Sequence, residues 1–272
     1  MIRQNLHTHT VFDDGKNTPM EMARAALDAG LSSLGFSGHS TLPWVNDWTL
    51  APECVPDYLA AVEDTKRTFA GRLTVYSGLE WDAASEQDIS GFDYIIGSVH
   101  HVFTGGTPLS VDESPEATRA AIGRCYAGDA SALAGAYYAS VRALAALPFV
   151  DIVGHFDLIT KFDEKHGFFD ETAPRYRNAA MDALEALVRA DKLFEVNTGA
   201  ISRGWRTTPY PSVFLLRELK SRGARVLVSS DAHSTDGIAV AFSETEAMLR
   251  DLGFRERWEL TDRGFAPVPL EA

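Results

Sequence analysis

Seven short, mostly apolar segments recur along the chain, and each is followed by a polar residue of a kind that binds metal ions. The stretches between them carry the hydrophobic period of α-helices, which is typical of βα units rather than of hairpins. The segments and their polar residues are Ile2–Leu6 with His7 and His9, Leu34–Phe36 with His39, Thr74–Tyr76 with Glu80, Tyr94–Ile96 with His100, Asp151–Val153 with His155, Leu193–Val196 with Asn197, and Val226–Val228 with Asp231 and His233. The pattern predicts seven strands that end in ligand-type residues.

Parallel strands bring their carboxyl ends to one rim of a β/α barrel, so these polar residues are expected to converge. A chain of 272 residues has the size of one such barrel, and we expect a single domain over residues 1–272. The predicted fold class is α/β, a barrel with a metal site at the C-terminal rim of its strands. This arrangement favours a polynuclear metal hydrolase.

Helix signals lie between the strand segments. Thr18 and Pro19, followed by Glu21, predict an N-cap and a helix that runs through Ala29 and ends at Gly30. Further helices are predicted at Pro56–Phe69, Ser131–Ala146, Pro174–Ala190, Pro211–Ser221 and Glu244–Leu252. The least regular stretches are 41–56, which contains Trp44 and Trp48, and 103–116. These are either binding loops or ordered surface loops with aromatic anchors.

Composition and charge exclude several functions. The formal net charge of −13 opposes binding to nucleic acid polymers and to anionic membranes. The N-terminus lacks an apolar signal region and no long apolar run follows, so we expect a soluble, cytoplasmic protein. Cys54 and Cys125 lie far apart without CxxC spacing, which supports neither a disulfide framework nor a cysteine zinc site.

Two motifs with a spacing of two residues stand at opposite ends of the chain. His7 and His9 point to one face of a strand, because strand side chains alternate, and can bind one ion as neutral nitrogen donors. Asp231 and His233 repeat this geometry with a carboxylate and an imidazole. Either motif alone is also compatible with half-buried residues on a strand, but the presence of both favours metal binding.

The central strands offer further candidates. Glu80 would be costly to bury unless it bridged cations or paired with a charge, and Asp82 faces the same way as a candidate substrate contact or a solvated carboxylate. Of the adjacent histidines, we choose His100 as the ligand and keep His101 as a candidate substrate contact, since successive strand side chains point to opposite faces. Each of His39 and His155 follows a glycine at a strand end, and His166 lies in a charged loop and is expected to be exposed.

Together these residues resemble the polymerase-and-histidinol-phosphatase (PHP) superfamily, whose motifs match residues 7–233 of this chain. The resemblance implies a distorted seven-stranded (β/α)7 barrel that binds two or three divalent ions, zinc, manganese or iron. It implies one ion held by His7, His9, Glu80 and Asp231, a second by Glu80, His100 and His155, and a third by His39, His233 and a residue of the turn after His9. Asp13 and Asp14 both lie in that turn, and we choose Asp14. The usual TDHD-type signature is absent at residues 37–40.

Within the superfamily, the chain is most similar to monofunctional histidinol-phosphate phosphatases. The motifs that carry this similarity are residues 154–159, 195–199 and 210–212, the Arg203–Gly204 pair, and residues 253–255 before a final short strand. The resemblance implies hydrolysis of L-histidinol phosphate, a small phosphomonoester, to L-histidinol and phosphate in histidine biosynthesis.

The proposed chemistry also requires cations and a proton donor. Lys161 and Arg203 follow strand ends, so both are expected on the rim, where they would contact phosphate. The expected mechanism is in-line attack by a hydroxide that bridges two ions. Asp14, Asp157 or a metal-bound water would then protonate the leaving group.

Three alternatives remain open from the sequence. A PHP-type phosphoesterase acting on nucleotides, such as 3′-phosphonucleotides, would use the same metal ligands. A hydrolase of amidohydrolase type would need a bridging lysine instead. A metal-storage module fits poorly with an open rim that carries cations. An acidic or aromatic wall from Asp82, Trp44 or Trp48 would suit the amine and imidazole of histidinol phosphate.

Overall fold

The computed structural model describes residues 1–44 and 46–270. Its strands, in chain order, are β1 (Gln4–Asn5), β2 (Ser33–His39), β3 (Thr74–Asp82), β4 (Tyr94–Ser98), β5 (His101–Thr104), β6 (Thr107–Ser110), β7 (Ile152–Val153), β8 (Leu193–Asn197), β9 (Val226–Ser229), β10 (Glu256–Thr261) and β11 (Gly264–Pro269). Seven of them form one sheet in the order β1-β2-β3-β4-β7-β8-β9. All its pairs are parallel.

The sheet closes through the segments that follow its two outer strands. Thr8, beyond β1, forms an isolated parallel bridge with Ala232, beyond β9, and the backbone N–H of His9 donates to Ala232 O over 2.9 Å. This short bridge completes a nearly closed, distorted barrel, which confirms the predicted (β/α)7 fold.

Nine α-helices lie within the described ranges. They are α1 (Pro19–Asp28), α2 (Val55–Phe69), α3 (Pro115–Cys125), α4 (Ala130–Ala143), α5 (Asp163–His166), α6 (Pro174–Arg189), α7 (Gly199–Ser202), α8 (Val213–Ser221) and α9 (Phe242–Asp251). All six predicted helices are present, and helix α1 has the capping box expected from Thr18 and Glu21. None of the described helices is long and apolar enough to cross a membrane.

The barrel interior is filled by apolar side chains from its own strands. They are Leu6, Tyr94, Ile96, Ile152, Leu193 and Leu227, joined by Leu260 of β10. Tyr94 occupies the space beside Gly35 and Gly78, where an added Cβ would overlap its ring or hydroxyl. These two positions are glycine because the large residue at the barrel axis leaves no room for a side chain.

The N-terminal end of the barrel is covered by the β10–β11 hairpin. Leu260 packs into the interior, and the Gln4 side chain pairs with both backbone groups of Leu260, donating from Nε2 over 2.9 Å and accepting at Oε1 over 2.7 Å. The sequence predicts only one final strand here. It also predicts an irregular segment over residues 103–116, where the structure has most of the β5–β6 hairpin and the start of α3.

Candidate active site

Nine side chains converge at the C-terminal rim. They form four overlapping groups, each with ligand atoms within 4.8 Å of one another: His9, Asp14, His39 and His233; His7, Glu80 and His155; His7, His9 and Asp231; and His39, Glu80 and His100. Every residue chosen as a ligand from the sequence belongs to at least one group. The shared members, His7, His9, His39 and Glu80, link the groups into one continuous cluster.

Glu80 lies at the centre of the cluster and is buried. Its Oε2 lies 3.1 Å from His7 Nε2 and 2.9 Å from His39 Nδ1. Its Oε1 lies 2.8 Å from His155 Nε2 and 3.4 Å from His100 Nε2. The two oxygens therefore face different pairs of histidines, as a carboxylate that bridges two ions would require.

Asp231 is a further carboxylate of the cluster, grouped with His7 and His9. Its Oδ1 lies 3.2 Å from His9 Nε2 and 3.5 Å from His233 Nδ1. Its Oδ2 accepts a hydrogen bond from Arg203 Nη2 over 2.8 Å. Asp231 has a φ of +49°, so the motif is not the regular extended strand that the sequence predicts. The left-handed backbone nevertheless aims both side chains at the rim.

The turn after His9 supplies one carboxylate to the cluster and a second behind it. Asp14 Oδ2 lies 3.2 Å from His233 Nε2, and Asp14 Oδ1 lies 3.7 Å from His39 Nε2. Asp13 instead accepts from the outer nitrogen of His9, with Oδ2 2.6 Å from Nδ1. The geometry therefore favours Asp14 as the ligand and gives Asp13 the role of orienting His9.

The residues present fit a group of divalent cations. His7 Nε2, His9 Nε2 and Glu80 Oε2 are buried and make no hydrogen bond within the described ranges, although such atoms are normally satisfied. Burial alone would raise the pKa of Glu80, but the surrounding histidines, His7 foremost, hold it well below its usual range. Imidazole nitrogens with carboxylate oxygens form a donor set suited to zinc, manganese or iron.

A cavity of about 550 Å³ opens directly over the cluster. Lys161 and Arg203 both line it. Lys161 Nζ donates to Asp112 at two points, the backbone oxygen over 2.9 Å and Oδ2 over 3.0 Å. Arg203 Nη1 contacts His233 Nδ1 at 3.1 Å. The cavity therefore combines ligand-type residues with two cations, an arrangement suited to a phosphoryl group.

Comparison with known proteins agrees with this geometry. The family model for the PHP domain matches residues 5–199. The chain belongs to the PHP domain family.

Relatives of this PHP protein resemble it over most of its length. A protein of Deinococcus radiodurans named "Probable histidinol-phosphatase" is 34% identical, with 92% of this chain and 93% of the relative covered. The histidinol-phosphatase of Bacillus subtilis is 26% identical, with 89% and 97% covered.

Two solved structures share the fold. The hisK protein of Listeria monocytogenes has a TM-score of 0.79 at 20% identity and covers 89% of this chain and 99% of its own. The histidinol phosphate phosphatase of Lactococcus lactis, solved with zinc, L-histidinol and phosphate, has a TM-score of 0.71 at 19% identity and covers 97% and 98%. Both support the barrel assignment.

Two sequence-based candidates lie outside the cavity of this PHP barrel. Asp82 is buried behind His100, accepting from its Nδ1 over 2.9 Å and from its backbone N–H over 3.1 Å. It orients His100 and does not face a substrate, because the fold places the imidazole between it and the cavity. Asp157 is buried away from the cavity and accepts from the backbone N–H of Ser212 over 2.9 Å. Asp157 is not among the residues that line the cavity, so this geometry does not favour it as the proton donor for the leaving group.

Asn197 is not a ligand either. Its side chain donates to Glu195 Oε2 over 3.0 Å and accepts from the Gly199 backbone N–H over 2.8 Å, which satisfies both ends of the amide. His166 is exposed, as expected. His101, the less favoured of the histidine pair, does line the cavity. Its ring stacks on Trp48 with centroids 5.9 Å apart.

Two residues of the site were missed by sequence reasoning. Glu195 lies in the middle of β8, fully buried, with Oε1 2.6 Å from His7 Nδ1. A lone carboxylate within an apolar strand was the available signal, because burying such a charge is costly without partners. Asp112, the partner of Lys161, follows the unpredicted β5–β6 hairpin. Its position therefore gave no indication that it would reach the rim.

Proposed function

We propose that this chain is a metal-dependent phosphomonoesterase that hydrolyses L-histidinol phosphate to L-histidinol and phosphate. The observation that carries the proposal is the shared cavity, in which Arg203 and Lys161 face the same space as the ligand cluster. The names of the Deinococcus and Bacillus relatives and the ligands of the Lactococcus structure support the choice of substrate.

The cluster would hold two or three divalent ions. The ligand groups support ions around Glu80 and Asp231, with Asp14, His39 and His233 available for a third ion. When bound, such ions supply Lewis acidity, which lowers the pKa of water and offsets negative charge on phosphoryl oxygens. The histidines among Asp14's neighbours hold its pKa below the usual range, against the effect of burial. We therefore assign Asp14 to ion binding rather than to proton donation.

The two cations of the cavity would hold the phosphoryl group. Arg203 presents a planar guanidinium that can donate to two phosphate oxygens at once, whereas Lys161 provides a compact charge. Asp231 and Asp112, which also line the cavity, each accept a hydrogen bond from one of these cations. Holding the group in one orientation reduces the entropic cost of reaching the transition state.

The opposite wall of the cavity suits the organic part of the substrate. Trp48 and His101 form an aromatic surface, and the exposed carboxylates of Asp47 and Glu113 lie beside it. Histidinol phosphate carries an imidazole and an amine, which such a wall would attract by stacking and by charge. Asp82, expected from the sequence to form part of this wall, lies behind His100 and takes no part in it.

A phosphate-release assay on the zinc-loaded or manganese-loaded chain tests the proposal. We expect kcat/KM for L-histidinol phosphate to exceed that for 3′-phosphonucleotides and simple sugar phosphates by at least about a hundredfold, because a polar site rejects substrates that leave its groups unpaired. Comparable rates on 3′-phosphonucleotides would favour a nucleotide phosphoesterase instead.

We further propose that residues 1–272 act as one domain in the cytoplasm.

A further inference from the structure

Both oxygens of Glu195, on β8 behind the ligand cluster, are engaged by polar neighbours. Its Oε1 lies 2.6 Å from His7 Nδ1 and also accepts from the Ser229 hydroxyl. Its Oε2 accepts from the backbone N–H of His155 over 2.7 Å and from Asn197 Nδ2 over 3.0 Å. The side chain is completely buried, so these contacts with four residues replace all of its hydration.

The chemistry of these neighbours determines the state of the carboxylate. A backbone N–H and an amide NH₂ can only donate, and a hydroxyl donates when it faces an acceptor. An ionised carboxylate is acceptor-only and matches all of these groups. The pattern of hydrogen-bond donors around its two oxygens therefore fits Glu195 as an ionised carboxylate.

The acceptor role of Glu195 also determines the tautomer of His7. Since Glu195 only accepts, the proton of a neutral His7 ring lies on Nδ1, which leaves the lone pair on Nε2. Among the residues that the structure describes, that nitrogen is buried without a hydrogen-bond partner, and it lies 3.1 Å from Glu80 Oε2 and 3.8 Å from Asp231 Oδ1. Nε2 therefore points into the ligand cluster as a donor to a cation.

Glu195 also acts on a second strand end. Its bond to the His155 backbone N–H fixes the chain where β7 has just ended, and His155 Nε2 lies 2.8 Å from Glu80 Oε1. We propose that Glu195 is a positioning residue that sets the His7 tautomer and holds His7 and His155 in the geometry needed to bind the ions. Carboxylates behind ligating histidines tune metal affinity in this way in other proteins.

Glutamine cannot replace Glu195 without a conflict. A Gln side chain of the same shape has one acceptor oxygen and one NH₂, so its nitrogen would face either His7 Nδ1–H or the His155 N–H as a second donor. One ring or one strand end would have to move. The Glu195→Gln variant therefore tests the charge and the acceptor role while it changes the volume little.

The test measures zinc binding rather than turnover. We expect Glu195→Gln to weaken zinc affinity roughly 10- to 100-fold in competition with a chelator, the usual effect of removing such a partner. The matched control is Glu246→Gln, which removes a buried carboxylate paired with Arg257 far from the rim, and it should bind zinc like the parent. Equal zinc affinity in the parent and in Glu195→Gln would overturn the proposal.

A second measurement needs no Glu195 variant, so it decides the matter even if Glu195→Gln fails to fold. Long-range ¹H–¹⁵N correlation spectra of the zinc-loaded protein, labelled at histidine, report the tautomer of each ring. His7, assigned by its loss in His7→Gln, should carry its proton on Nδ1. A proton on Nε2 would overturn the proposal. The inference rests on the metal centre of the proposed function, but both readouts omit substrate, so failure of the substrate assignment would not affect them.

Discussion

The two ends of the barrel are built from the same strands and differ in how their polar groups are satisfied. At the N-terminal end, Gln4 pairs with both backbone groups of Leu260, and Lys192 Nζ donates to the backbone oxygens of Leu147 and Val150 over 2.7 and 2.6 Å. At the C-terminal end, nine ligand-type side chains crowd together. Several of their buried atoms have no hydrogen-bond partner within the described ranges.

This difference indicates that stability and function are separated along the barrel axis. At the closed end, Gln4 and Lys192 bond to backbone groups and apolar side chains fill the interior, so substitutions there should act on folding. The open end presents atoms that a cation would satisfy, so substitutions there should act on ion binding and catalysis. Substitutions at each end can therefore test whether one end determines stability and the other determines activity.

The largest effect is expected for Asp231→Asn. The change removes a ligand-type carboxylate and leaves Arg203 facing a neutral amide, so we expect kcat/KM to fall roughly 1,000-fold or more while the fold is retained. The control is Asp191→Asn, which removes an exposed carboxylate paired with Arg225 at the opposite end. Phosphate release and circular dichroism would be measured on both. Similar small losses in the two variants would contradict the separation.

The next largest effect is expected for Arg203, one of the two cations proposed to hold the phosphoryl group. Arg203→Ala removes a proposed two-point contact with the phosphoryl group, and we expect a loss of roughly 2–4 kcal/mol in kcat/KM, or about 30- to 1,000-fold. Arg203→Lys should recover only part of it. Zinc content must be measured as well, because Arg203 also contacts Asp231. A kcat/KM within about threefold of the parent would show that Arg203 does not hold the phosphoryl group.

The open end should also bind zinc in a pH-dependent manner. Burial would lower the pKa of His9, but Asp13 and its other neighbours raise it to about 10 in the metal-free chain. Burial would also lower the pKa of His100, but Glu80 and Asp82 outweigh it and raise the pKa of His100 to about 9. Because zinc must displace these protons, its affinity should rise with pH from neutrality towards pH 9, by up to about tenfold per pH unit for each proton released. Calorimetric zinc titrations at several pH values would check this, and a flat profile would contradict it.

The same raised pKa values predict that the stability of the metal-free fold falls as the pH rises. A histidine whose pKa is raised by folding stabilises the folded state. This contribution is complete at pH values below the pKa in the unfolded state, about 6.5. This contribution is lost as pH rises through the folded values of about 9 and 10. The metal-free protein should therefore unfold at lower denaturant concentration at pH 9 than at pH 6. A higher midpoint at pH 9 would argue against protonated histidines in the empty cluster.

The smallest effect on activity is expected at the closed end. Leu260→Ala removes a side chain that packs inside the barrel, and we expect a loss of about 2–4 kcal/mol in the free energy of unfolding. Its kcat/KM should stay within about twofold of the parent, since nothing at the rim moves. Denaturant unfolding and phosphate release would be compared, and a large loss of activity in folded protein would indicate that the two ends are coupled.

Most of the barrel could be predicted because each strand end repeats one signal, an apolar run followed by a ligand-type residue. The β5–β6 hairpin was missed because both strands are only four residues long and Phe103 is half exposed. The available signal was Gly105–Gly106, which occupies the positive-φ tip between these strands. An adjacent glycine pair of this kind marks a tight hairpin turn.

The ligands could be predicted better than the residues around them. Strand alternation tells which face a side chain takes, and this placed His7, His9 and Glu80 correctly in the cluster. Strand alternation does not tell how deeply a side chain is buried beneath the cavity. Asp82 therefore points to the predicted face but lies behind His100. Asp157 follows a ligand strand closely, yet the chain turns it into the interior. Depth depends on how loops pack, which a local pattern does not encode.

Stepwise zinc addition to metal-free protein tests the central claim most directly, with phosphate release from L-histidinol phosphate and bound zinc followed in the same samples. The claim is that the rim acts as a metal-dependent phosphomonoesterase site. We predict almost no activity in the metal-free chain, an increase of at least about 1,000-fold as two or three zinc ions bind, and no further gain beyond that stoichiometry. Full activity in protein verified as metal-free by elemental analysis would contradict the account.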